Sequence, residues 1–206
     1  MSLTLRSWLN RLRRRLWRAL FFRIVFGERA ADGTPLPHTR IAPSSCIEGE
    51  ANLQLADHVF IGQFNFIEAS GGVTIGEGVQ ITNFVSIVSH SSHRAIRLMG
   101  RLYASHDGAN PPPGYVKAPI VIGPYCFIGP HSLIEAGARI GRGAVVCAYA
   151  QVRGEVPDFA IVAGQPARVV GDVRAKDAQL LAQHPWLAAH YAAWAGDVPQ
   201  PRGPAA

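Results

Sequence analysis

A branched apolar residue returns at every sixth position through the middle of this chain. The longest run is unbroken and comprises Ile122, Ile128, Ile134, Ile140, Val146 and Val152. Shorter runs with the same spacing precede it, namely Ile41–Ile47–Leu53, Leu55–Ile61–Ile67 and Ile75–Ile81–Ile87. A six-residue period matches neither the 3.6-residue turn of an α-helix nor the simple alternation of a strand. The spacing therefore predicts an all-β domain over residues 41–172 that winds as a parallel β-helix.

Each hexapeptide of such a column forms one short strand and one corner. The branched residue points inward and stacks on its equivalents in neighbouring coils, and a small residue after it lets the chain turn. Glycine follows Ile122, Ile128 and Ile140, as this requires. The spacing alone leaves the hand of the coil open, although most β-crossovers are right-handed.

Two segments inside or beyond the repeat lack its phase. Residues 90–118 form an inserted loop that ends in Pro111-Pro112-Pro113-Gly114, and a loop this long in a compact domain is usually functional. Residues 173–196 have the apolar spacing of a C-terminal helix. Residues 28–40 are predicted to be a linker, and residues 197–206 a flexible tail rich in proline, glycine and alanine.

The positive charge of the chain is concentrated at its start. Residues 1–30 carry eight arginines and one acidic residue, a net charge of +7, whereas the other 176 residues carry 12 basic and 13 acidic side chains, a net charge of −1. A nucleic-acid-binding domain would spread its positive charge over a folded face, so no nucleic-acid partner is expected. Residues 1–27 also have the leucine and tryptophan spacing of an amphipathic helix.

Two interpretations of this helix remain open. It could lie as a peripheral anchor on anionic lipid, or it could pack against the chain's own body or a neighbouring subunit. Arginines interrupt it throughout, so it is not predicted to cross a membrane. Its short apolar stretch has no small-residue cleavage site, so it is not predicted to be a signal peptide, and a cytoplasmic location is expected.

His90 is the strongest catalytic candidate, because it stands where the repeat breaks, shortly after the inward Ile87. A neutral imidazole can accept a proton from a hydroxyl group near pH 7. His93, His106 and Asp107 in the same loop could orient it or contact a substrate, although each is more typical of a solvated loop residue.

Several motifs together resemble the hexapeptide-repeat acyltransferases, in the branch of the maltose and galactoside O-acetyltransferases and their relatives that modify bacterial surface polysaccharides. They are the repeats Ile75-Gly76-Glu77-Gly78-Val79 and Ile128-Gly129-Pro130-His131-Ser132, the Ser89-His90 pair, and the ending Ala163-Gly164-Gln165-Pro166-Ala167-Arg168. The resemblance covers about residues 41–172. It implies a left-handed β-helix that assembles as a homotrimer and binds acetyl-CoA between neighbouring columns.

The resemblance also implies roles for individual residues. His90 corresponds to the family's general base, which takes the proton of a sugar hydroxyl as its oxygen attacks the thioester of acetyl-CoA. The family's cofactor contacts fall on Gly129, Ala148, Arg153 and Arg168, and no metal is required. Arg168 also suits this role by charge alone, since a guanidinium group binds phosphate well.

The acceptor is less well defined by the sequence. Asn65, Asn83 and His93 are weak substrate-binding candidates, and the two asparagines suit corners of the coil equally well. The function predicted is acetyl transfer to a hydroxyl group of a sugar, or of a lipopolysaccharide or capsule precursor. A metal enzyme of the γ-type carbonic anhydrase class, or a β-helix used only for protein interaction, remains an alternative.

Overall fold

The computed structural model describes residues 2–106 and 110–197. Its central feature is a column of short strands arranged in three mainly parallel sheets. Two short antiparallel pairs stand outside the column, Glu28–Arg29 with Pro35–Leu36 and His90–Ser91 with Val116–Lys117. The predicted β-helix is confirmed, while its left hand, implied by the resemblance, stays a prediction.

The strands are numbered in chain order and are grouped by sheet. The first sheet contains β3 (Arg40–Ile41), β6 (Phe60–Ile61), β9 (Gln80–Ile81), β14 (Phe127–Ile128), β17 (Val145–Val146), β20 (Ala160–Gly164) and the antiparallel β21 (Ala167–Asp172). The second contains β4 (Cys46–Glu48), β7 (Phe66–Glu68), β10 (Ser86–Val88), β15 (Leu133–Glu135) and β18 (Gln151–Val152). The third contains β5 (Leu53–Leu55), β8 (Val73–Ile75), β13 (Ile120–Ile122), β16 (Arg139–Ile140) and β19 (Glu155–Val156).

The inward residues of successive coils stack in register. Ile61 pairs with Ile81, which pairs with Ile128, and all three side chains are fully buried. Burying one such side chain stabilises the fold by about 1.5–3 kcal/mol. The first coils are twenty residues long, as from Ile47 to Ile67, because two extra residues occupy one corner. A later coil has eighteen residues, three hexapeptides, as from Ile134 to Val152.

Four aromatic side chains recur at one corner of the column. Phe64, Phe84, His131 and Tyr149 all have φ between 57° and 61°, the left-handed region that bulky residues rarely adopt. They recur at one corner of successive coils, and the rings of Phe84, His131 and Tyr149 are stacked 4.8–4.9 Å apart. We attribute the tolerance of this backbone conformation to ring stacking along the corner.

The inserted loop begins and ends in a hairpin and is partly helical. Strands β11 (His90–Ser91) and β12 (Val116–Lys117) pair antiparallel at its base, with His90 opposite Lys117. The loop contains α2 (Ala95–Met99) followed by a 3₁₀ turn over Gly100–Tyr103. Asp107 lies outside the described residues.

The segments flanking the column differ in detail from the sequence prediction. Helix α1 spans Leu3–Phe21, and the segment predicted as a linker contains the antiparallel pair β1 (Glu28–Arg29) and β2 (Pro35–Leu36). The C-terminal segment, predicted as one helix, is divided into α3 (Arg174–Gln183) and α4 (Ala188–Ala195). The division falls at Pro185, which has no backbone N–H for a helical hydrogen bond. Among the described residues, no helix has the length and hydrophobicity required to cross a membrane.

Candidate active site

His90 lies where the chain leaves the column. Strand β10 ends at Val88, and β11 begins at His90 and leads into the inserted loop. The preceding residue, Ser89, fixes the position of His90, because Ser89 is buried and its backbone N–H donates to the carbonyl of Glu68. About a third of the His90 side chain remains exposed. The imidazole is therefore held on a rigid element and is still accessible from solvent.

Glu68, at the end of the neighbouring strand β7, is the partner of His90. The distance from His90 Nδ1 to Glu68 Oε2 is 2.6 Å, although only 4% of Glu68 is exposed. The hydroxyl of Ser89 donates to the same oxygen at 2.9 Å, and the backbone N–H of Ser70 donates to Oε1 at 2.7 Å. The carboxylate of Glu68 is thus buried, but each of its oxygens accepts a hydrogen bond.

The protonation of this pair follows from its surroundings. Burial by itself raises the pKa of Glu68, but the hydrogen bonds from Ser70, Ser89 and His90 outweigh it and lower that pKa to about 2. An ionised carboxylate can only accept, so the proton between the two residues belongs to His90 Nδ1. The lone pair of the neutral ring then lies on Nε2, for which no hydrogen bond is recorded among the described residues. This nitrogen is free to act as a base.

The inserted loop returns an aromatic ring to this site. The ring of Tyr115 lies 5.5 Å from that of His90 at an angle of 20°. Burial raises the pKa of Tyr115, and the charge of Glu68 adds to the effect. His93 is exposed near the start of the loop, where its Nδ1 lies 2.7 Å from the hydroxyl of Ser91. The loop therefore forms one wall beside His90.

The residues predicted to form one site lie at two edges of the column. We call the edge at which the second-sheet strands end the His90 edge; it also carries Glu68, Glu135 and Arg153. We call the edge at which the first-sheet strands end the Gly129 edge. It carries Asn65, Asn83, Ala148 and, through its pairing with Ala163, Arg168. A six-residue side separates the edges, about 20 Å of extended chain.

Gly129 and Ala148 lie in direct contact on adjacent coils. A Cβ atom at Gly129 would lie 2.6 Å from the backbone nitrogen of Ala148, so no larger residue fits without moving the next coil. The column therefore needs a glycine at this position whether or not a ligand binds there. Ala148 is exposed.

The two predicted arginines differ in their surroundings. Arg153 donates through Nε to the carboxylate of Glu135 at 2.9 Å, so its charge is already compensated. Arg168 is exposed on β21 and donates to the backbone carbonyl of Ala167. No acidic partner is recorded for Arg168 within residues 2–106 and 110–197, which makes it the better phosphate candidate.

Asn65 and Asn83 serve the column in different ways. The amide of Asn65 is buried, donates to the carbonyls of Gly62 and Thr82, and accepts from the backbone of Val85. It has no free polar group for a substrate, and the substrate role is not kept for it. Asn83 is exposed, and its side-chain oxygen accepts from the backbone N–H of Gln63. Neither asparagine has a positive φ; Phe64 and Phe84 beside them do.

A separate polar cluster lies on the first coils. Ligand atoms of His38, Asp57 and His58 lie within 4.8 Å of one another. The two imidazole rings are stacked 4.4 Å apart and parallel to within 3°. Nitrogen lone pairs lie in the plane of their ring, so two parallel rings do not direct them at a common point. In this arrangement the three residues do not form a metal site.

Sequence reasoning missed Glu68, Ser70 and Tyr115. The coil length offered a signal for the first two, because a twenty-residue coil places Ser70 directly beside His90 and Glu68 beside Val88. No periodic signal marks Tyr115, since its position depends on the path of the loop.

The hexapeptide repeat agrees with a known protein family. A family model described as "Bacterial transferase hexapeptide (six repeats)" matches residues 119–154. The resemblance to the hexapeptide-repeat transferases is confirmed. The matched hexapeptide-repeat segment begins directly after the inserted loop and includes Gly129, Ala148 and Arg153.

Relatives of this hexapeptide-repeat chain include galactoside O-acetyltransferase of Escherichia coli strain K12. It is 32% identical over 107 residues, which cover 51% of this chain and 46% of that protein. Another relative is WcaF of the same strain, which is named as an acetyltransferase of colanic acid biosynthesis. It is 29% identical over 154 residues, which cover 75% of this chain and 74% of WcaF. The chain spans less than two thirds of the length of the first curated relatives that it matches.

A solved structure is also similar. It is a hexapeptide-repeat-containing acetyltransferase from Vibrio cholerae O1 biovar eltor in complex with acetyl coenzyme A. The identity is 26% and the TM-score 0.40, with 62% of this chain and 67% of that chain covered.

Proposed function

We propose that the protein is an acetyl-CoA-dependent O-acetyltransferase that modifies a hydroxyl group of a sugar. The observation that carries this proposal is the pairing of His90 with the buried carboxylate of Glu68. That pairing leaves the second ring nitrogen as a base beside the inserted loop. The names of the relatives, which include a galactoside O-acetyltransferase, support the same reaction class.

In the proposed mechanism His90 acts as general base and Glu68 as a positioning residue. Nε2 takes the proton of the acceptor hydroxyl while its oxygen forms a bond to the thioester carbonyl carbon of acetyl-CoA. The tetrahedral intermediate collapses, the bond from carbon to sulfur breaks, and the leaving thiolate takes the proton back from the imidazolium. Glu68 stabilises the transient positive charge on the ring. No covalent acyl-enzyme is needed.

We infer that a complete site needs two copies of the chain. The base lies on the His90 edge, whereas Gly129, Ala148 and Arg168, the better-placed cofactor candidates, lie on the Gly129 edge. Packing the His90 edge of one column against the Gly129 edge of another would bring them together. A repeated contact of this head-to-tail kind closes into a ring, and a homotrimer suits a column with three sides.

The finer assignments follow from this arrangement. Arg168 would bind a phosphate of acetyl-CoA, and Tyr115 and His93 would contact the acceptor beside His90. The acceptor class that we propose is a precursor of lipopolysaccharide or capsule, in line with the name of WcaF. We place the protein in the cytoplasm, where a membrane contact through residues 1–27 would be made with the inner face.

The test is release of free thiol from acetyl-CoA in the presence of a panel of sugars, nucleotide sugars and glycan fragments. We expect His90→Ala to lower kcat by about 10²–10⁴-fold, the range typical of a lost general base. His184→Ala, at an exposed histidine of the C-terminal segment, should leave turnover unchanged. Equal rates for the His90→Ala variant and the wild type with every active acceptor would refute the mechanism.

A further inference from the structure

Helix α1 has no packing partner within the described part of the chain. None of its residues is buried. Trp8, Leu16 and Leu20 are 58%, 55% and 71% exposed, although such side chains are usually covered in a stable fold. The structure therefore argues against packing on the chain's own body and leaves two of the partners named above, a lipid surface and a neighbouring subunit.

Beside Leu3, Trp17 and Phe21, which lie on the other faces, seven apolar side chains of α1 form one continuous stripe. At 3.6 residues per turn they fall within an arc of roughly 120°. They are Leu5, Trp8, Leu9, Leu12, Leu16, Ala19 and Leu20. A stripe of this width, along a helix with no buried residue, needs an apolar environment outside the chain.

The rest of the helix surface is strongly basic. Six arginines lie on α1, and no acidic residue occurs before Glu28. Arg13 and Arg15 directly flank the apolar stripe at 3.6 residues per turn. No salt bridge is recorded for any of the six within the residues that the structure describes. Long arginine stems can lie along an apolar layer while their guanidinium groups reach phosphates above it.

These observations favour one partner. We propose that α1 lies in the headgroup layer of an anionic lipid bilayer, with its stripe in the acyl boundary and its arginines on lipid phosphates. A second copy of the chain is a poorer match, because residues 31–206 carry a net charge of only −1. Nucleic acid would suit the arginines but would leave the leucine stripe in water. The inference rests on the proposed function only for the side of the membrane.

The helix is joined to the column at its C-terminal end. The carbonyl of Phe22 accepts a hydrogen bond from Gln63 Nε2 at 3.2 Å, and the Phe22 ring lies 5.5 Å from that of Phe64. Both contacts are made on an early coil. Binding of α1 to a bilayer would therefore hold the first coils of the column near the membrane surface.

The experiment is flotation of the full-length protein with vesicles of phosphatidylcholine alone and of phosphatidylcholine mixed with phosphatidylglycerol. The wild type should float with the mixed vesicles and less so as salt is raised. Leu16→Glu should lower the partition coefficient at least tenfold, and Arg15→Gln, beside the stripe, about fivefold. Leu180→Glu and Arg139→Gln, at exposed sites on α3 and the column, are matched controls that should float like the wild type.

Three results would overturn the proposal. The first is that the wild type does not float with the mixed vesicles. The second is that the control variants lose as much flotation as the α1 variants. The third is that the α1 variants float normally but differ from the wild type in oligomeric state. Binding of duplex DNA that is tighter than vesicle binding and insensitive to Leu16→Glu would assign the helix to nucleic acid instead. Thiol release with a soluble acceptor is measured in parallel. A variant that loses flotation but keeps turnover, or one that loses turnover but keeps flotation, separates this inference from the proposed activity.

Discussion

At the scale of single residues, the site depends on one buried carboxylate. Glu68 is almost fully covered, yet its pKa is lowered to about 2, because burial is outweighed by hydrogen bonds from Ser70, Ser89 and His90. An unpaired carboxylate in the same place would be neutral or strongly destabilising. The two residues therefore depend on each other: His90 needs Glu68 for its tautomer, and Glu68 needs its donors to stay ionised.

Replacing Glu68 by glutamine is expected to change the acid stability of the protein. A carboxyl group whose pKa is about 2 when folded and 4.5 when unfolded stabilises the fold above pH 4.5, by up to about 3 kcal/mol. That stability is lost as the pH falls from about 4.5 to about 2. Glu68→Gln should thus be less stable at neutral pH and should lose this part of the acid dependence. Urea unfolding at several pH values measures both effects.

The same variant separates a positioning role from a merely structural one. We expect Glu68→Gln to lower kcat by about 10–100-fold while the KM for acetyl-CoA changes little, because the lost charge acts on the imidazolium formed during transfer. Glu135→Gln removes another carboxylate from the same edge and should leave kcat unaltered. A change confined to KM would contradict the role given to Glu68.

At the scale of the strands and corners, close contact between coils decides which residues are allowed. Gly129 follows the inward Ile128, and its backbone lies directly against Ala148 of the next coil. The rule that a small residue follows the inward one therefore comes from the spacing of the coils. It does not by itself mark a ligand site.

Substitution of Gly129 by alanine should be destabilising. The added Cβ would lie 2.6 Å from the backbone nitrogen of Ala148 and 2.7 Å from the carbonyl oxygen of Val146, so the next coil must shift. Overpacking of this kind typically costs about 1–3 kcal/mol. Gly171→Ala is the matched control, because its Cβ would make an ordinary 3.4 Å contact with Ile161. Thermal unfolding of both variants tests the expectation, and equal melting temperatures would contradict it.

At the scale of the whole molecule, one column presents His90 and the cofactor candidates at different edges. The strand order fixes this separation, since His90 follows the second sheet whereas Gly129 and Arg168 belong to the end of the first. Adjustments of side chains cannot close a gap as wide as one side of the column. The assembly is therefore part of the proposed site.

Complementation between two inactive variants tests the shared site. We expect His90→Ala to be inactive, and Arg168→Glu to bind acetyl-CoA at least tenfold more weakly through loss of a charge-assisted contact. The two variants are co-expressed with different tags and purified through both, so that only mixed trimers remain. Such trimers should regain about a third of wild-type turnover at low acetyl-CoA, because one of the three interfaces in each mixed ring has both native residues. Two differently tagged copies of His90→Ala serve as the control. Failure of the mixed assembly to exceed that control would place both residues in one chain's site.

The sequence by itself determined the column, its inward residues and the place where the chain leaves it. Each of these depends on a local period that the inward isoleucines display directly. His90 could be singled out because it stands at a break in that period. Pro185 was also visible in the sequence as a residue that interrupts helices, although one continuous helix was predicted for that segment.

Only the tertiary structure decided which residues meet. Glu68 lies twenty-two residues before His90, and its contact with the imidazole depends on two extra residues that lengthen the early coils. Tyr115 reaches the same ring through the path of a loop that has no repeat. The left-handed corners at Phe64 and Phe84 are stabilised by rings on other coils. Contacts between coils set the first and the third, the path of the inserted loop sets the second, and the local sequence carries no direct record of any of them.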